Sequence, residues 1–413
     1  MNKRIGKFAG GIIVSGLLIA SLAGCGIRIS TGSSSQASSE TAAAAVQEET
    51  GAFENEVTTI GSESQAVSEE NAKAVTTVAN ATSTGAIDAS ELFTDRDLRQ
   101  SADLSEAVYY EVSDGDEILI TSEGVYVISG TASNATIIVD ADSEDKVQIV
   151  LDGVSITNDD FPAIYVKSAD KVFITTTETE NSLSVTGTFR SDGDTSTDAV
   201  IFSKDDLVFN GLGTLTIVST DNGISGKDDI KITGGTLDIT SEGDSIEAHD
   251  SIAVADGNIT INSKNDGIQA KDSDDDATGY VYICGGTFNI TAADDGIHGT
   301  TIVQIDDGDI TISASEGIEG TYIQINGGTI SISASDDGIN AANKSGAYST
   351  LAEFNGGYIT IVMGSGDTDG VDSNGNLIIN GGTIDVTAQS PFDYDGTAQY
   401  NGGTIIVNGE ETN

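Results

Sequence analysis

The run AADDGIHGTTI, residues 292–302, sets two carboxylates, a glycine, a branched apolar residue and one of the chain's two histidines side by side. Related runs, NDGIQA, SEGIEG, DDGINA and TDGVDS, recur along the chain. A file of carboxylates at adjustable spacing offers the hard oxygen ligands that Ca2+ prefers. The rim acids of this repeat are Asp244, Asp266, Asp295, Glu316, Asp337 and Asp369, with Asp272 and Asp372 close by in sequence; these eight are the candidate metal ligands. Further acids cluster at Asp274, Asp275, Asp276 and Asp367. No EF-hand loop is present, because its glycine and terminal glutamate are missing. Two histidines and two cysteines leave too few nitrogen and sulfur ligands for a transition-metal centre. The competing reading is a solvated acidic face that holds no ion.

Two polar columns accompany the rim acids. Directly after the branched apolar residue come Ser225, Glu247, Gln269, His298, Glu319, Asn340 and Asp372; four places after the turn glycine come Lys227, His249 and Lys271. Strand alternation turns the first column outward, toward a partner. Lys227, His249, Lys271, His298, Glu319 and Asn340 are the candidate contacts to a carbohydrate, with cations and neighbouring Ca2+ holding uronate carboxylates. The lysines could equally form exposed ion pairs worth under about 1 kcal/mol each. A lyase would need one of them, Lys227 or Lys271, as the base beside Ca2+.

These columns exist only if the chain coils. The turn positions Gly223, Ser245, Gly267, Gly296, Gly317, Gly338 and Gly370 are spaced by 22, 22, 29, 21, 21 and 32 residues. The two long steps carry the insertions KDSDDDATGY (271–280) and NKSGAYSTLAEF (343–354). Each period holds two alternating runs split by Gly-Gly, such as IQINGGTISIS, and a third short run after the acid-glycine turn. Three strands in about 22 residues predict an all-β fold, a parallel β-helix; helical repeats and propeller blades need longer periods. Asn210, Asn326, Asn355, Asn380 and Asn401 precede the glycine at one turn and predict an amide ladder along the axis. Rungs about 4.8 Å apart would set stacked carboxylates against each other by about 0.9 kcal/mol in water and about 3.5 at an effective dielectric of 20.

The chain carries 66 acidic against 17 basic residues in 413. Phosphate backbones would repel it, so no nucleic-acid partner is expected. Residues 1–24 read as a secretory signal, with Lys3, Arg4 and Lys7 before an apolar run too short to span a bilayer. The Leu22-Ala23-Gly24-Cys25 ending resembles a bacterial lipobox, which implies export, lipidation of Cys25 and attachment to the outer face of a bacterial membrane through the lipid alone. Cys284 is then left without a disulfide partner. Residues 25–90 are Ser-, Thr-, Ala- and Glu-rich and read as a disordered tether. Residues 91–146 are expected to form N-terminal cap strands and 147–413 the coil, acting as a monomer.

The strings DRDL (95–98), PAIYVKSADKV (162–172), IFSKDDL (201–207), GKDDIKITGGT (226–236), NDGIQAKD (265–272) and GYVYICGGTFNIT (279–291) resemble the calcium-binding carbohydrate-binding domains of bacterial cell-surface proteins. That resemblance implies a right-handed coil of the pectate-lyase type, Ca2+ on its surface and a polysaccharide partner of acidic or plant-wall type, bound without catalysis. Two rivals stay open, a Ca2+-dependent polysaccharide lyase and an adhesin or structural rod. The chain has no tryptophan, so flat indole platforms for sugar rings are absent.

Overall fold

In the computed structural model, residues 87–412 are described, apart from 273, 274, 276 and 367. The signal, the lipidation site Cys25, most of the tether, and Asp274, Asp276 and Asp367 lie outside the described residues. What is described is almost wholly β-structure, with one three-residue 3-10 turn at Ala89–Glu91.

The strands stack in three parallel ladders. In the first, Ile224, Ile246, Ile268, Ile297, Ile318, Ile339 and Val371 pair in succession. The second runs through Leu207, Ile230, Ile252, Val281, Val303, Ile323 and Ala352. The third runs through Leu215, Leu237, Ile259, Phe288, Ile310, Ile330 and Ile359. Every one of these residues is buried, so alternation delivers one continuous apolar core from all three walls. Val108–Glu111 and Glu117–Ile120 pair in parallel in the same ladders, so turns of the coil's own register form its N-terminal end.

Glycine at the acid-glycine turn is required by close packing of successive rungs and not by a left-handed backbone. Gly296, Gly317 and Gly338 do not adopt positive φ; a Cβ on Gly317 would sit 2.3 Å from the Gly338 carbonyl oxygen and 2.5 Å from Ile332. Close approach of successive rungs excludes a side chain. The left-handed glycines are at the Gly-Gly turn instead, as at Gly328 with φ 87° and Gly357 with φ 85°. The amide ladder forms as expected at the C-terminal end: Asn355, Asn380 and Asn401 each donate to the preceding asparagine at 2.8, 2.7 and 2.7 Å.

Residues 87–100 form a strap across the outer face of the second ladder. Ile87 N donates to Gln304 Oε1 at 2.6 Å, Leu92 and Phe93 pack on Ala253 and Tyr282, and Arg96 lies over the Phe173 ring. Cys284, expected as a lone thiol, is buried under this strap and disulfide-bonded. Gln100 bridges two rungs, accepting from Gly211 N at 2.9 Å and donating to the Thr233 carbonyl at 2.9 Å. Gln100→Ala leaves both backbone groups unpaired, and a loss of about 1–3 kcal/mol in chemical denaturation is expected; no loss would mean that the strap does not brace the coil.

Candidate functional site

With the second ladder's outer face covered, two faces remain. Outward positions of the third ladder are mainly Thr, Ser and Asn, such as Thr236, Thr240, Asn262 and Ser331, and all four belong to strands that alternate buried and exposed residues. The first ladder carries the acids. Its column Ser225, Glu247, Gln269, His298, Glu319, Asn340, Asp372 is in perfect register.

That column is less open than strand alternation suggests. His298, Glu319 and Asn340 are 7%, 3% and 8% exposed, so direct contact with a sugar ring is not available at them. Their own stacked neighbours shield them, and the 343–354 insertion folds over this flank, placing Lys344 Nζ 2.7 Å from Glu319 Oε1.

His298 joins the two columns that the repeat presents separately. Its Nδ1 lies 3.1 Å from Asp295 Oδ2, 3.6 Å from Glu319 Oε2 and 3.8 Å from Asp266 Oδ2. Burial opposes a charge on the ring, but hydrogen bonds to Asp266 and Asp295 and the Glu319 charge outweigh it and push the imidazole up to about 9. The ring is therefore an imidazolium at neutral pH and stands where a metal would stand among these three acids. The Asp295–His298 spacing of three residues was the available signal for this pairing.

The rim acids also have a backbone task. Asp244 Oδ1 accepts from Asp266 N at 2.9 Å, Asp266 Oδ1 from Asp295 N at 2.9 Å, and Asp337 Oδ1 from Asp369 N at 3.2 Å. Each carboxylate thus ties its rung to the next through one oxygen. Gln269 donates to the other oxygen of Asp266.

Four acidic groups result. Asp266, Asp295 and His298 converge, as do Asp295, Glu316 and Glu319, with ligand atoms in each group within 4.8 Å of one another. Toward the C-terminal end Asp337 and Asp372 are pushed up to about 6, by burial first and then by neighbouring carboxylates that include Asp369. A third convergence, Asp206, Asp228 and Asp229, was not singled out from the sequence; Asp228 is pushed up to about 6 by burial, then by Asp206, Asp229 and Asp250. Burial first, then the charges of Asp229 and Asp272, raise the Asp250 carboxyl, which places Asp272 with this latter group and apart from the rim acids. Lys227 Nζ contacts His249 Nε2 at 3.1 Å and lies over the Phe202 ring, while Lys271 is exposed. Neither lysine is gathered with the His298 acids.

Residues 114–368, more than half of the chain, match the family model described as carbohydrate-binding domain-containing protein. The chain belongs to this family. A carbohydrate-binding domain-containing protein of Acetivibrio thermocellus is 39% identical over 123 residues, which are 29% of this chain and 43% of that protein. The chain therefore spans under half the length of this relative. A solved structure described as the polysaccharide lyase-like protein from C. thermocellum, in a gadolinium derivative, is 31% identical with a TM-score of 0.50, covering 52% of this chain and 96% of that one. Family membership and the lyase-like fold account for the three-ladder coil and direct attention to its uncovered, acid-bearing face.

Proposed function

We propose that the protein binds an acidic or plant-wall-type polysaccharide without catalysis, using Ca2+ held on the first ladder's flank. The observation that carries this reading is the stacking of Asp337, Asp369 and Asp372 on adjacent rungs, where Asp369 N donates to Asp337 Oδ1 at 3.2 Å and burial first, then neighbouring carboxylates, push Asp337 and Asp372 up to about 6. Hydrated, well-separated acids would not pay that electrostatic cost. The donor set is oxygen only and comes from adjacent rungs, which fits Ca2+. These three residues would hold the ion, and the ion would supply positive charge to a uronate carboxylate. On this reading the coil is right-handed, as parallel crossovers almost always are.

Retention on immobilised polygalacturonate measures the proposal. EDTA should abolish retention and added Ca2+ should restore it; retention that survives chelation removes the ion from the mechanism.

A further inference from the structure

We propose that Lys204, Lys227, His249 and Lys271 form an anion-binding file that needs no metal and takes the carboxylates of a polyuronate chain lying along the coil axis. This rests on the reading that the ligand is an acidic polysaccharide, and adds a second, cationic subsite and the direction of the chain. Val166, Ser203, Gly226, Ala248 and Ala270 pair in succession in the first ladder. The residues that follow them are Lys167, Lys204, Lys227, His249 and Lys271, so five consecutive rungs carry a basic residue at one position. In the next four rungs that position holds Thr300, Thr321, Ala342 and Asn374. In a chain with 66 acidic against 17 basic residues, such a run of bases is a local exception.

The ion pairing of these residues is an independent observation. Lys167 is neutralised within the protein, its Nζ lying 2.8 Å from Asp192 Oδ2. Among the described residues, no carboxylate oxygen lies within 4.0 Å of the Nζ of Lys204, Lys227 or Lys271. The acids next in sequence are engaged elsewhere. Asp205 Oδ2 accepts from Ala169 N at 3.1 Å, and Asp228 converges with Asp206 and Asp229 at the start of the second ladder.

Lys227 is held in place, with Nζ 5.6 Å from the centre of the Phe202 ring and 3.1 Å from His249 Nε2. An ammonium only donates, so the imidazole accepts through Nε2 and carries its proton on Nδ1. Lys204 and Lys271 are exposed, and Lys227 and His249 are half-buried. Charges mounted on a rigid wall lose little freedom when an anion arrives. Successive rungs lie about 4.8 Å apart, so the file offers donors rung by rung to a chain that runs along the axis. Asp372 lies on the same ladder, four rungs beyond Lys271. A long chain thus reaches Ca2+ at one end of the flank and ammonium groups at the other. The file adds to the grip of the Ca2+ group and does not replace it.

Calorimetric titration of the whole protein with polygalacturonate in saturating Ca2+ tests the file. Lys204→Gln, Lys227→Gln and Lys271→Gln should each weaken binding roughly twofold to fivefold, and the triple variant about tenfold or more. The loss should shrink as salt screens the ammonium groups. Lys227→Arg keeps the charge and should keep the affinity. Lys146→Gln, on the second ladder, should bind as the wild type does. Lys204→Gln and Lys271→Gln remove no ion pair of the protein, so they remain readable even where Lys227→Gln fails to fold. If the wild type binds and these two variants bind no more weakly, the file is overturned while the wider proposal stands. Equal weakening by Lys146→Gln would show that net charge alone is sensed, and overturns the file as well. If the wild type does not bind polygalacturonate in Ca2+, the wider proposal falls and the file with it.

Discussion

Replacing His298 by leucine should cost about 3–5 kcal/mol of folding free energy, because it leaves buried carboxylates without their cation. The ring is 7% exposed and faces Asp266, Asp295 and Glu319, none of which has another basic group except Glu319, which keeps Lys344. The imidazole's rise from 6.5 to about 9 corresponds to roughly 3 kcal/mol at about 1.4 per unit. Since the folded pKa is the higher one, this contribution is complete below about 6.5 and is lost as pH rises through about 9. Denaturant unfolding of wild type and His298→Leu should therefore differ most at pH 6 and converge above pH 9. A difference below 1 kcal/mol at pH 6 would mean that the three acids are not relying on the ring.

Much of this architecture was legible from spacing alone. The two 21-residue steps through Gly296, Gly317 and Gly338 correspond to the pairing of Ile297 with Ile318 and of Ile318 with Ile339. A period fixes register wherever every rung buries the same side chain. What the period does not encode is anything aperiodic. Lys344 sits in an insertion with no counterpart in other rungs, so nothing in the repeat places it over Glu319. The strap reads as polar text, DRDL, yet part of its hold comes from main-chain atoms: the Asp97 carbonyl accepts from Asn210 Nδ2 and Thr233 Oγ1. Side-chain patterns are blind to such contacts. The outward column was placed correctly but not its burial, because alternation tells which face a residue takes and not what lies above that face.

The acid file itself should make the metal-free protein less stable as pH rises from 4 to 8. Asp228, Asp244, Asp337 and Asp372 are each pushed up to about 6, and Glu316 to about 7, by burial first. Charged neighbours then add to the rise in Asp228, Asp337 and Asp372, while in Glu316 the hydrogen bond from Asn340 partly opposes it. A carboxyl whose folded pKa is raised stabilises the fold below its unfolded pKa near 4 and loses that contribution as pH climbs through the folded value. Most of these groups are partly open to water, so screening reduces each to under about 1 kcal/mol; five of them together make a few. The effect opposes the usual carboxylate pattern, shown here by Asp192, which Lys167 holds below its ordinary range. In EDTA, Tm should peak near pH 4–5 and drop by roughly 5 °C or more by pH 8. Saturating Ca2+ should flatten the curve from its alkaline side, because a cation among ionised oxygens removes the repulsion that raised them. A metal-free curve that is already flat would mean that the acids fan out into water, and the energetic case for an ion between the rungs would be lost with it.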